Sequence, residues 1–307
     1  MELVIQNASI TNFWGIEKGY QLIADAGFAG IDWNWGPIWD KEKLLKKKEP
    51  QRCIFDEPFD VVLAAYQPEL DMMERYGLKP MQAHAPSPSY VPGFPEATEF
   101  VLRTYKTAIK MCDYTDVKWL VIHGASLNLS NHLDTPESIR QHNYELYRRL
   151  IPELVETDVV VCLENLFTRH GSQIMEGTCS VAEEAVEYID RLNEMAGKEC
   201  FGLCLDTGHL NILGKNQKAY IHTLGTRIKA LHLHDNRGMD DDHLAPYAGT
   251  IIWKDVIDGL KDVGYSGNLS FETFKQVGLD HLDPEMVPVW LRTIYDIGQV
   301  FRKKMKD

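Results

Sequence analysis

Eight short runs rich in valine, isoleucine and leucine recur along the chain, near 2–10, 29–35, 79–85, 118–126, 158–166, 200–207, 228–236 and 268–274. Runs such as Trp119-Leu-Val-Ile, Val159-Val-Val-Cys-Leu and Phe201-Gly-Leu-Cys-Leu do not alternate apolar with polar, which suits strands covered on both faces of a parallel sheet. Between them lie segments of helical period, among them Ile16 to Ala26, Ala97 to Cys112, Pro136 to Val155, Val181 to Ala196, Trp253 to Val263 and Pro284 to Phe301. Gly27, Gly77 and Gly264 follow helix ends as left-handed stops. Thr135 and Asp283 each stand as a cap before a proline at the first helical position. Strand and helix thus alternate with a step of roughly 40 residues, which predicts an α/β chain folded as a single-domain (β/α)8 TIM barrel over residues 1–307. A doubly wound open sheet would carry a glycine-rich phosphate loop after its first strand, where this chain reads Asn7-Ala-Ser-Ile-Thr-Asn. The one long connection, 34–60, holds a charge cluster from Lys41 to Lys48, expected to be a solvated helix face.

Composition narrows the partners. There are 45 acidic and 32 basic residues, a formal charge of −13, and such an excess repels a phosphate backbone, so no nucleic-acid partner is expected. No window approaches the roughly 20 apolar residues of a membrane span, and the amino terminus lacks the features of a leader, so the expectation is a cytoplasmic protein without a membrane partner. The six cysteines show no CxxC spacing. Neither disulfides nor a cysteine zinc site is expected.

In a barrel of this kind the functional face lies at the carboxyl ends of the strands. Here the runs end in Gln82-Ala-His84, Ile122-His123, Glu164-Asn165, Asp206-Thr-Gly-His209, His232-Leu-His234-Asp235 and Phe271-Glu272. A carboxylate after four apolar residues is costly to bury unless it is paired or coordinated, and three runs repeat the device. The convergence points to a metal site. Glu164, Asp206, His232 and Glu272 offer three hard carboxylates and one imidazole, suited to one divalent ion, Mn2+, Mg2+ or Co2+, with Zn2+ also open. His232 and His234 point to the same side of their strand, so spacing alone does not choose between them.

At these residues the chain resembles the xylose isomerase-like superfamily of barrels, in its sugar phosphate isomerase/epimerase branch. The most specific pieces are Leu163-Glu-Asn, Asp206-Thr-Gly-His209, and the block from His232-Leu-His-Asp-Asn236 through Asp241-Asp-His243 to Gly249-Thr-Ile-Ile-Trp253. The loop that usually reads glycine-x-glycine before that tryptophan reads Tyr247-Ala-Gly249 here. Thr168 and His170 stand where ketose 3-epimerases carry an arginine and a second glutamate.

The resemblance implies that Glu164, Asp206, His232 and Glu272 hold the ion, favouring His232 over His234. It implies a metal-stabilised enediolate, with Glu164 and Glu272 removing and returning a proton. His84, His123, His209 and His234 would bind the sugar or polyol substrate, and Trp14, Trp33 or Trp35 could wall it. Selectivity is expected in the loops after the first, second and eighth strands, around Asn7, Asn34 and Lys275. Barrels of this type often pair, so a homo-oligomer is an expectation. The same superfamily holds endonuclease IV-type enzymes with nine ligands to three zinc ions, and this chain has a counterpart to each: His84, His123, Glu164, Asp206, His209, His232, Asp241, His243 and Glu272. Asp241 and His243 are therefore candidates for a further metal. A sugar isomerase or epimerase is the first expectation and a metal-dependent lyase (inosose or dehydroshikimate dehydratase type) the alternative, while the charge of −13 ranks a phosphodiesterase behind both.

Overall fold

The computed structural model describes residues 1–307 apart from 37, 41, 128–133, 279–281 and 307. Its strands are β1 (Leu3–Gln6), β2 (Gly30–Asn34), β3 (Lys79–His84), β4 (Trp119–Ile122), β5 (Val160–Glu164), β6 (Phe167–His170), β7 (Gln173–Glu176), β8 (Phe201–Asp206), β9 (Ile228–His232) and β10 (Leu269–Phe271). Its helices are α1 (Ala8–Trp14), α2 (Ile16–Ala26), α3 (Phe59–Arg75), α4 (Glu96–Tyr114), α5 (Pro136–Arg148), α6 (Ile151–Val155), α7 (Ala182–Ala196), α8 (Thr207–Ile212), α9 (Gln217–Leu224), α10 (Trp253–Asp262), α11 (Phe274–Val277) and α12 (Met286–Lys306).

Eight strands pair in parallel in the order β10, β1, β2, β3, β4, β5, β8, β9. The last seam is drawn together just beyond β9, where the Leu233 amide donates to Ser270 O at 2.8 Å and the Glu272 amide to Leu233 O at 3.2 Å. This is a TIM barrel, and each of the eight apolar runs supplies one of its strands. The strands pack outward against the helix layer through residues such as Leu3, Ile31, Leu120, Leu163 and Leu231, all at most 1% exposed. Inside, a small cluster of Val121, Val160, Cys162, Cys204 and Ala230 fills the barrel axis. All six cysteines are free thiols.

Residues 167–176, to which the apolar and helical periods assign no element, form the antiparallel β6–β7 hairpin at the mouth. The lysine-rich stretch makes a single π-helical turn, Lys43–Lys47, with its lysines on a solvated face as expected. Its lysines are exposed, but Leu44 is fully buried, and Trp35, Trp39 and Phe55 anchor the surrounding connection. Residue 41 lies outside the described residues.

Candidate metal centre

Strand alternation determines what can reach the barrel axis. In β2, Asp32 points inward, where its Oδ2 accepts from Gln82 Nε2 at 2.6 Å and faces His232 Nε2 at 3.2 Å. Its neighbour Trp33 must then point outward. Trp33 is fully buried against the helix layer, donates its indole N–H to Glu69 of α3 at 2.9 Å and packs edge-on to Tyr66. The substrate-wall role expected of Trp33 is therefore corrected to core packing. Trp14 ends α1 on the mouth side, half-buried and edge-on to Phe13.

The polar strand ends converge. His232 Nδ1 stands 3.4 Å from Glu164 Oε1, 3.3 Å from Glu272 Oε2 and 3.9 Å from Asp206 Oδ2. His84 and His123 meet at 3.0 Å through their Nε2 atoms, with Glu164 Oε2 2.8 Å from His123 and 3.7 Å from His84. On the other flank Asp241 Oδ2 lies 2.8 Å from His243 Nε2 and 3.5 Å from His209 Nε2. Eight of the nine residues named for the endonuclease-like set thus come together with His234 in overlapping groups able to share an ion, and the ninth, Glu272, joins them through His232.

The imidazoles are oriented from outside the cluster. Nδ1 of His84, His209 and His243 lies 2.8, 3.0 and 2.9 Å from the carbonyls of Ala85, Asn165 and Glu272. A carbonyl only accepts, so each Nδ1 carries a proton, and Nε2 is the nitrogen left facing inward, free to hold either a second proton or a metal ion. His232 does the reverse: Nε2–H donates to Asp32, and Nδ1, buried without a hydrogen-bond partner among the described residues, faces the carboxylates. A carboxylate holding a ligand histidine by its far nitrogen is the usual support of a metal-binding imidazole. Asp32 was missed in the sequence. Its signal was a carboxylate between Ile31 and Trp33 in an apolar run.

His234 takes another role from the one expected. Fully buried, it gives Nε2–H to Asp206 at 2.9–3.0 Å and packs over Gly208. It supports Asp206 and is closed off from a substrate. A methyl group at position 208 would lie 2.0 Å from its ring, which is why Asp-Thr-Gly-His needs its glycine. The other motif residues have equally local reasons. Asn165 bridges β5 to β8 by donating to Asp206 O and accepting from Asp206 N, both at 2.8 Å. Asp206 also caps α8 by accepting from His209 N at 2.7 Å. Asp235 accepts four N–H groups, from Asn236, Tyr247, Ile251 and the Trp253 indole, at 2.8–3.1 Å. That single buried carboxylate folds the loop that carries Asp241 and His243. Phe274 stacks on His243 and Phe167 meets His209 edge-on.

The residues fit a divalent cation. Donors about 2.1 Å from one ion stand roughly 3.0–3.4 Å from one another in tetrahedral or octahedral geometry, the spacing seen from His232 Nδ1 to Glu164 and Glu272 and too long for a direct charged hydrogen bond. The charges agree. Five carboxylates (Asp32, Glu164, Asp206, Asp241, Glu272) gather in one largely buried volume. Burial pushes His209 down, but Asp206 foremost, with Asp241 and Glu164, outweighs it and raises it to about 10. His84 and His232 are likewise raised against their burial, His84 by Glu164 and His232 by neighbours that include Glu272 and Glu164. Burial would raise Glu164 and Asp206, yet His123 and His232 hold Glu164 well below the carboxylate range, and His209 and His234 lower Asp206. The cluster demands positive charge, which protons or metal ions can supply.

Comparison with known proteins places this geometry. Residues 20–288 match the model of the xylose isomerase-like TIM barrel family. A D-psicose 3-epimerase of Enterocloster bolteae is 31% identical over 152 residues, 50% of this chain and 45% of that protein. Across the curated relatives the aligned stretch spans between 30% and 67% of their length. Among solved structures, a D-tagatose 3-epimerase-like protein superposes with a TM-score of 0.72 at 18% identity, covering 100% of this chain and 98% of the other. The zinc-bound IolI protein superposes at 0.66 and 18% identity, covering 99% and 98%. The nearly whole-length family match, on a barrel whose strand ends carry the donors, establishes that this chain belongs to the xylose isomerase-like TIM barrel family.

Proposed function

We propose that this protein is a divalent-metal-dependent isomerase or epimerase of a sugar or polyol. The observation that carries the reading is His232 Nδ1 standing between Glu164 and Glu272, 3.4 and 3.3 Å from their carboxylate oxygens. Glu164, Asp206, His232 and Glu272 would hold the ion, Mn2+, Mg2+, Co2+ or Zn2+ by donor chemistry. The ion would supply positive charge to the oxygens of an enediolate. Glu164 and Glu272 flank His232, so one carboxylate takes the proton from the carbon beside the carbonyl and the other returns one to the opposite face or the neighbouring carbon. The C–H electron pair moves into the enediolate and back, so nothing is consumed. His123, partly exposed, and Trp14 on the mouth side are the residues proposed to touch substrate. The relatives named for ketose epimerisation support this reading.

Incubation of metal-loaded protein in deuterated water with a panel of ketoses and inososes should label a carbon-bound position. Absence of exchange throughout the panel would sink the reading. Glu272→Gln should lower metal content, and undiminished content would remove Glu272 from the ligand set.

A second reading, phosphodiester hydrolysis on several ions, is favoured by one observation: the donors fall into flanking groups, His84, His123 and Glu164 on one side and His209, Asp241 and His243 on the other. Three ions per chain together with cleavage of an abasic-site duplex would establish it in place of the first.

A further inference from the structure

A cavity of about 370 Å3 opens beside the centre. His123 belongs to both: its Nε2 faces Glu164 at 2.8 Å while its ring lines the cavity wall. Among the described residues its other polar side chains are hydroxyls, those of Ser87, Ser89, Tyr90, Ser126 and Thr168. Ser126 Oγ accepts the Thr178 amide and so keeps its own proton to give. Tyr90 gives its proton to Asp134 at 2.6 Å and keeps lone pairs to accept with. The cavity therefore offers both donors and acceptors. Among the described residues no lysine or arginine lines it, so they offer a phosphate no cation to offset its desolvation. The volume is at the low end of the roughly 300–1,000 Å3 of small-molecule sites, enough for one ring. It lies outside the donor cluster, so a ligand held by the cluster through its reacting carbons would extend a substituent past His123 into it.

We propose that this cavity is a second subsite of the same centre and takes a neutral, hydroxyl-bearing ring attached to the reacting sugar. The preferred substrates are then glycosides or similarly extended ketones, ahead of free or phosphorylated sugars. This rests on the isomerase or epimerase reading.

The test compares manganese-loaded protein with fructose, fructose 6-phosphate and three glucosyl-fructoses linked at different positions (turanose, maltulose, isomaltulose), reading affinity by calorimetry and proton exchange in deuterated water. At least one disaccharide should bind ten-fold or more tighter than both fructose and its phosphate. Leu45→Trp and Thr168→Trp, which fill the cavity from its rim and its hairpin wall, should each cut that disaccharide-to-fructose ratio about ten-fold while metal content stays at one equivalent or more. A phosphate preference, no gain for any disaccharide, or a gain that survives both fillings overturns the subsite. If free sugars still exchange deuterium in those cases, the isomerase reading stands and the subsite alone fails. If no probe binds or exchanges, both fall.

Discussion

Replacing Asp32 tests whether the centre depends on a residue that would never touch the ion. Its Oδ2 accepts from Gln82 at 2.6 Å, His232 at 3.2 Å and Ser270 at 3.5 Å, and all four residues are at most 1% exposed. Asp32→Asn can keep an oxygen toward His232, but the bond loses its charge. Charge-assisted bonds contribute about 1.5–3 kcal/mol against about 0.5–1.5 for neutral ones, a difference near 1.4 kcal/mol or roughly ten-fold. Asp32→Ala removes the acceptor, frees the His232 proton to move to Nδ1 and so blocks the inward lone pair. That variant should lose about 100-fold, the upper end of measured effects of such supporting partners. Competitive chelator titration reads the affinity, and nitrogen-15 chemical shifts of His232 read its tautomer. In metal-free protein Asp32→Asn should melt no lower than the parent, because it removes one of five crowded carboxylates. Wild-type metal affinity in both variants, or a tautomer indifferent to Asp32, would refute the reasoning.

Three further outcomes follow from the same geometry. Gly208→Ala drives a methyl into His234, and should cost about 1–3 kcal/mol by overpacking and weaken metal retention, both visible in melts with and without metal; an unchanged melting temperature would contradict the contact. Asp235→Ala leaves four N–H groups without their acceptor. It should destabilise by roughly 3–5 kcal/mol, with hydrogen exchange rising first across residues 236–253. The His209 imidazole, raised to about 10 in the fold by Asp206, Asp241 and Glu164 against its burial, is near 6.5 when unfolded. Its stabilisation is then complete below pH 6.5 and lost as pH climbs toward 10. Metal-free protein should therefore melt progressively lower between pH 7 and 10, and bound metal should flatten the decline; a flat metal-free profile would contradict the pairing.

Much of the barrel is legible in the sequence because its strands are covered on both faces, which leaves unbroken apolar runs and places the strand-end carboxylates by inspection. The β6–β7 hairpin is not legible: Phe167 to Glu176 is half-exposed and mixed in character, and its pairing is set at the mouth rather than by a core. The motif spacing from His232 to Trp253 could be read as a pattern but not understood until Asp235 was seen to accept from Ile251 and the Trp253 indole.

The order of residues by itself determined the alternating architecture and the donor chemistry, carboxylates and imidazoles without thiolate at the ends of buried strands. Only the tertiary structure decided which nitrogen of each histidine faces inward, that His234 supports Asp206, that Trp33 faces outward, and that Asp32 reaches His232 from 200 residues away. A strand's period of two separates its two faces but does not say which one looks down the barrel axis. A tautomer is set by the carbonyl or carboxylate that folding brings to the far nitrogen.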